Sequence, residues 1–276
     1  MKRSKTQARV VAVTSGKGGV GKTSTSVNLA IALQSQGKRV VILDADLGLA
    51  NVEVLFGLNS LYNLQHVIDG ERRLAQVIVN APGGVGVVPG TSGLAKLADL
   101  GDAARQNILS GLQELQNQAD FIIIDTMAGI GQNAVAFVAA ADEVILVSTP
   151  EPSSIVDAYA MIKTIFNRRD DAVIRLVANM VASQPQAAAV SQKLTNVTQQ
   201  YLGRQISFLG YLPRDPHVSQ AVMQSQPFVL RFPNAPVSKC IQDIATRLIN
   251  QRSASGAGQT GFLRRFAQTI GLASSA

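Results

Sequence analysis

The chain is expected to be an α/β protein, a mostly parallel twisted sheet with helices on both faces, followed by a separate amphipathic helix near the C-terminus. Three observations lead there. Short apolar runs recur at 10–13, 39–43, 86–88, 121–124, 144–147, 174–178 and 207–212. Helix-length amphipathic stretches lie between most of them, at 24–36, 103–117, 153–166 and 187–202. A glycine-rich turn, 16–23, joins the first run directly to the first helix. Strands alternating with helices imply a mostly parallel sheet covered on both faces. Ligands of such sheets sit beyond the carboxyl ends of the strands, so the polar residues found there carry the functional information.

Taken in order, Gly37 ends the first helix, and the run 39–43 then delivers Asp44 at its carboxyl end. The run 121–124 does the same for Asp125. The segment 237–248 reads as a helix carrying Cys240, a small core thiol. Residues 253–260 are small, polar and without apolar periodicity, as in a linker. The organisation is therefore a basic tail over 1–8, one domain over 9–250, a linker over 251–260 and a helix over 261–272.

With 276 residues, 46% of them hydrophobic, the chain can bury one substantial core. A single cysteine excludes an intramolecular disulfide, a C-x-x-C redox pair and a cysteine-held iron–sulfur cluster. His66 and His217 are too far apart to suggest a metal site and read as structural or surface residues. No run approaches the length of a bilayer span and no signal peptide precedes the first strand, so a cytosolic protein is expected. The net charge of +7, with basic residues at both ends, favours anionic partners such as lipid headgroups or nucleic acid.

The turn supplies the chemistry. Gly16-Lys17-Gly18-Gly19-Val20-Gly21-Lys22-Thr23, followed by Ser24, matches G-x-x-x-x-G-K-[ST] in full. Backbone N–H groups would cradle phosphate oxygens, Lys22 would reach the β- and γ-phosphates, and the Thr23 hydroxyl would ligate Mg²⁺. Gly16-x-Gly18-x-x-Gly21 also fits the dinucleotide fingerprint, with Asp44 near the position of a ribose-binding acid. Lys22 and Thr23 following at once, with further carboxylates at Asp46 and Asp125, favour a nucleoside triphosphate. Asp125 ends a Walker B-type strand and would hold the metal together with Asp44. Asp46, two residues beyond Asp44, would orient the attacking water. The competing assignment for these acids is as helix caps or turn residues.

Lys17 is an additional lysine within the loop, and Lys17-Gly-Gly-Val-Gly-Lys22-Thr23 resembles the deviant Walker A loop of the MinD/ParA (SIMIBI-class) ATPases. The resemblance covers about 9–250 plus the tail. It implies that Lys17 acts in trans on a partner subunit's nucleotide, so that ATP is sandwiched in a homodimer, and that Asp157 pairs with this lysine. It also implies that Asn179 reads adenine, that Pro213, Arg214 and Asp215 cover the base, and that Glu151 belongs to the nucleotide site. No Asn-Lys-x-Asp signature follows a strand, which favours ATP over GTP. The segments from Asp44 to Glu53, Asp125 to Gly131 and Asp157 to Lys163 are most similar to the flagellar-number regulators of the family, FlhG and FleN, and less so to its division-site members. That likeness implies slow ATP hydrolysis and partners such as FlhF, a FleQ-like transcriptional activator or flagellar switch proteins. The short segment 1–8 lacks the FlhF-stimulating motif of many such proteins. A MinD-like division regulator and a ParA-like partition ATPase are the alternatives. Direct DNA binding is not expected, since no helix-turn-helix region precedes the loop.

The terminal helix places Phe262, Leu263, Phe266 and Ile270 on one face, with Arg264 and Arg265 beside them. A core helix, a partner-binding helix and a membrane-surface anchor all fit this pattern. The linker argues against the first, and the arginines suit an anionic inner-membrane surface, so peripheral membrane attachment is expected. Docking on the body of a resting monomer is compatible with it.

Overall fold

Arg9–Thr14 forms β1, and its successive side chains settle into different cores, Val10 and Ala12 into one, Val11 and Val13 into the other. A strand covered on both faces must be apolar at every position, which is why these runs do not alternate. The structure, a computed structural model, describes residues 7–46, 51–91, 101–251 and 261–269, the side chains of 132 and 133 excepted. Ile270, most of the basic tail and the linker residues 252–260 lie outside the described residues.

After β1 the described elements are α1 (Lys22–Ser35), β2 (Val40–Ala45), α2 (Asn51–Phe56), α3 (Leu64–Ile68), α4 (Leu74–Val77), β3 (Val79–Asn80) and β4 (Gly86–Val88). Then come α5 (Asp102–Gln118), β5 (Phe121–Thr126), α6 (Gln132–Ala140), β6 (Glu143–Ser148), α7 (Pro152–Arg168), β7 (Ile174–Val181) and α8 (Gln184–Leu202). The chain continues through β8 (Ser207–Pro213), α9 (Pro216–Met223), α10 (Phe228–Arg231), α11 (Pro236–Asn250) and α12 (Gly261–Thr269). The sheet order is β3-β4-β2-β5-β1-β6-β7-β8, parallel except for the short β3 paired against β4. From β1 the chain crosses over β5 to β2, whereas β6, β7 and β8 extend the sheet the other way. The turn after β1 therefore lies where the strand order reverses, the place such sheets reserve for ligands.

Helices α1, α2, α9, α10 and α11 cover one face, and α3 to α8 with α12 cover the other. Gly37, at φ 78°, ends α1 in the left-handed region as expected. Cys240 is half-buried rather than a fully enclosed core thiol, because it sits at the rim of α11, and burial pushes its thiol pKa up. At the amino ends of the strands the carboxylate of Glu143, fully buried, is held between Arg9 and Arg175. A buried acid is tolerated only with such partners.

Of the placements open to the terminal helix, the structure shows the docked one, in α12. It docks: Phe262 and Phe266 are buried, and the Phe266 ring stacks on Phe137 of α6 with centroids 4.9 Å apart. Arg265, expected to face lipid, donates through Nε to the Ala140 carbonyl at 2.8 Å and through Nη2 to Asp142 Oδ1 at 2.7 Å. A cation at the carboxyl end of α6 meets the negative pole of that helix, a tertiary partner no local pattern announces. Leu263 is partly buried and Arg264 is exposed. No helix among the described residues is long and apolar enough to cross a membrane.

Candidate nucleotide site

The turn between β1 and α1 cradles a cavity of about 400 Å³ lined by Lys17 to Ser24, with Asp46, Asn51, Val54 and Val222 on its other walls. Gly19 and Gly21 hold φ values of 77° and 85°, a left-handed conformation that glycine adopts without strain and that turns successive N–H groups toward one side. Gly21 is also the N-cap of α1, where no side chain caps the helix. The free amides and the positive pole of α1 thus remain available to an anion. Gly16 has a different reason to be glycine. A Cβ there would lie 2.1 Å from the Asp157 carbonyl oxygen, so the loop packs directly on the backbone of α7.

Beneath the loop lies a buried charge cluster. Lys22 Nζ donates to Asp125 Oδ1 at 3.2 Å, and Ser26 Oγ donates to the same oxygen at 2.7 Å. Asp125 Oδ2 is buried without a hydrogen-bond partner. Asp44 stands opposite Asp125 in the β2–β5 register, and both side chains are fully buried. Burial first, and the Asp125 charge second, push the Asp44 carboxyl pKa up to about 7. N–H groups of Asp46 and Val52 donate to Asp44 at 3.0 and 3.4 Å and partly offset this. Two adjacent buried carboxylates, one with an unpartnered oxygen, and the Thr23 hydroxyl on the cavity wall form a hard oxygen set that fits Mg²⁺. Among the described residues no three His, Cys, Asp or Glu side chains form a complete metal site. A cation here would take phosphate oxygens as further ligands, as Mg²⁺ commonly does.

Asp46, on the cavity wall, accepts from Asn51 Nδ2 at 3.2 Å. It lies beyond the end of β2, while Asp44 lies within the strand, so the pair of acids is split between an open and a buried position. Lys17 Nζ goes to Glu151 Oε2 and Ser153 Oγ, each at 3.0 Å. The expected lysine partner, Asp157, is corrected for this conformation. Asp157 meets the loop through its backbone carbonyl, and the first turn of α7 presents Glu151 and Ser153 to the ammonium instead. Ser26, Asn51 and Ser153 were not found from the sequence, because polar residues within or beside helices carry no motif of their own.

The three residues expected over the base divide. Arg214 borders a cleft of about 240 Å³ with Glu151, Met180 and Gln186. Asp215 is committed to structure, its Oδ1 accepting from His217 N–H at 3.0 Å as the N-cap of α9 and its Oδ2 from Val237 N–H at 3.3 Å at the start of α11. Pro213 ends β8. Burial opposes ionisation of Asp215, but the hydrogen bonds from His217 and Val237 outweigh it and hold the carboxyl below the usual value of 3.8. A depressed acid contributes stability above its unfolded pKa and loses it as pH falls through the folded value. Asp215→Asn is therefore expected to cost about 1 kcal/mol at pH 7, the worth of a cap, and less than that at pH 2 to 3. Urea unfolding at the two pH values measures it.

This geometry, a phosphate cradle on the reversal point of a parallel sheet with buried acids below, defines a P-loop nucleotide-binding protein. A profile of the AAA domain family matches residues 8–178. Antiactivator FleN of Pseudomonas aeruginosa is 41% identical over 87% of the chain and 86% of its own length. The flagellum site-determining protein YlxH of Helicobacter pylori is 33% identical over 97% and 92%. The septum site-determining protein MinD of Bacillus subtilis is 32% identical over 87% and 89%. A chain of the MinC:MinD cell division protein complex of Aquifex aeolicus superposes with a TM-score of 0.72 at 26% identity, covering 89% of this chain and 97% of that one. The chain belongs to the MinD/ParA family of P-loop ATPases, with FleN/FlhG proteins among its relatives.

Proposed function

We propose that the protein is an ATP-switched dimer that hydrolyses ATP slowly and regulates flagellar number or placement from the inner membrane. The observation that carries it is the division of labour between two loop lysines. Lys22, only 7% exposed, is tied to Asp125 beneath the cavity, whereas Lys17, 39% exposed, is held at the rim by Glu151 and Ser153. A cation at the exposed rim could be handed from Glu151 and Ser153 to a second subunit, and one supplied in trans makes pairing depend on the bound triphosphate. Lys22 and the loop amides would bind the phosphates in cis, Asp46 would position water, and Asn179 with Arg214 would border the base. Mg²⁺, held by Thr23, Asp44 and Asp125, would neutralise phosphate charge. The FleN and YlxH relatives support a flagellar role, with FlhF, a transcriptional activator or switch proteins as partners. The docked α12 is the resting state of a membrane anchor, and pairing would present two anchors and add avidity.

Asp46→Ala is expected to lower the hydrolysis rate about 100-fold while ATP holds the dimer together, and Lys17→Ala to lose both dimer and hydrolysis. Light scattering on a sizing column with ATP reads the first property and phosphate release the second. A monomeric Asp46→Ala protein in saturating ATP would exclude the mechanism. Co-sedimentation with anionic vesicles against salt-dependent DNA retention separates this reading from a ParA-like partition role.

A further inference from the structure

The cavity wall does not include Asn179, yet Asn179 is in direct contact with the loop that forms it. Its Nδ2 donates to the Val20 carbonyl oxygen at 2.7 Å, and its Oδ1 accepts from the Met180 N–H at 2.8 Å. Asn179 is only 9% exposed. A Cβ on Gly21 would lie 2.3 Å from that Nδ2, so the amide occupies the space a side chain at Gly21 would need. The backbone around Asn179 is built to deliver it. The β7–β8 register slips between Ala178 and Val181, and Met180 sits at φ 56°, in the left-handed region that methionine rarely adopts. A bulge of this kind re-aims a side chain out of the ordinary strand alternation.

We propose that Asn179 is a positioning residue for the phosphate cradle, acting on the loop whether or not a base is present. The peptide unit is planar and trans, so the Val20 C=O and the Gly21 N–H point in opposite directions. Pinning the carbonyl to Asn179 sets where the Gly21 amide points and keeps a carbonyl oxygen from turning toward the phosphates, where its partial negative charge would repel them. Without that bond the Val20–Gly21 unit, which has glycine on one side and no side-chain cap on α1, can rotate, and triphosphate binding then has to order it. This role is separate from base reading, and it deepens the nucleotide assignment above, on which it rests.

Tripolyphosphate with Mg²⁺ is the discriminating probe, because it carries phosphates and no base. Calorimetry on the full chain is expected to show Asn179→Ala binding tripolyphosphate about ten-fold more weakly than wild type, the scale of one lost hydrogen bond, and Asn179→Ser, too short to reach Val20, losing a similar amount. In the nucleotide-free wild type, one Asn179 side-chain amide proton should exchange slowly by NMR, an observation that needs no variant to fold. Unchanged tripolyphosphate affinity in folded variants that have lost ATP affinity overturns the proposal and leaves Asn179 a base reader only. Rapid exchange of both amide protons also overturns it. A wild-type protein that binds neither ATP nor tripolyphosphate would refute the nucleotide assignment itself, a different failure.

Discussion

Lys22→Ala is expected to slow ATP hydrolysis by about 100-fold or more and, independently of any nucleotide, to destabilise the apo protein by about 3 kcal/mol. The first effect follows from the loop, since a cation placed on the β- and γ-phosphates is among the largest electrostatic terms in phosphoryl transfer, and its loss costs on the order of 100-fold or more. The second follows from the cluster below it. Lys22 donates to Asp125 Oδ1, and Asp44 lies in register beside Asp125. Removing the ammonium leaves two adjacent buried acids with the Ser26 hydroxyl and backbone amides as their neighbours. Breaking a buried pair from one side costs more than replacing both members, because the remaining charge stays desolvated. Asp125→Asn added to Lys22→Ala should therefore recover most of the lost stability and none of the hydrolysis. Thermal melts and phosphate release on the two single variants and the double variant form a cycle. Equal stability of Lys22→Ala and wild type would show that the Lys22–Asp125 contact carries no net weight.

Phe137→Ala and Phe266→Ala are expected to shift vesicle binding in opposite directions, although they remove the two halves of one stacked pair. Phe137 belongs to α6 and Phe266 to α12. Truncating Phe137 spoils the dock and leaves the anchor intact, so nucleotide-free protein should bind anionic vesicles roughly five-fold more, the scale of an aromatic pair. Truncating Phe266 also undocks the helix but removes an apolar group the bilayer would bury, so binding should fall below that of wild type in ATP. Asp142→Asn, which weakens the Arg265 contact without touching the anchor, should resemble Phe137→Ala in direction. Vesicle sedimentation at fixed protein concentration, with melting curves to confirm folding, reads all of these. Weaker binding by both Phe137→Ala and Asp142→Asn would mean that the docked helix is a structural element of the domain and no anchor in waiting.

The strands and the phosphate loop were legible because their signals are local. A buried parallel strand needs apolar residues on both faces, and a cradle of backbone amides needs glycine at positive φ, so Val10–Thr14, Phe121–Asp125 and Gly16–Thr23 each state their geometry in consecutive residues. Asp44 and Asp125 were found as strand ends, but their register and the raised pKa of Asp44 depend on which strands lie side by side, and β2 meets β5 across a long stretch of chain. The resting partner of Lys17 was expected at Asp157 and is Glu151 with Ser153, since the first turn of α7 sets which side chain is within reach.

Two assignments required the folded chain. The pattern of α12 states amphipathicity and cannot state what covers the apolar face, because a bilayer and the surface of α6 present the same hydrocarbon environment to Phe262 and Phe266. Asn179 was singled out through the family resemblance, whereas its bond to Val20 arises from a bulge in β7 and a contact between residues far apart in the chain. Periodicity and turn chemistry act over a few residues and are written in order along the polypeptide. Partners across the sheet are chosen by packing, which depends on all the elements at once.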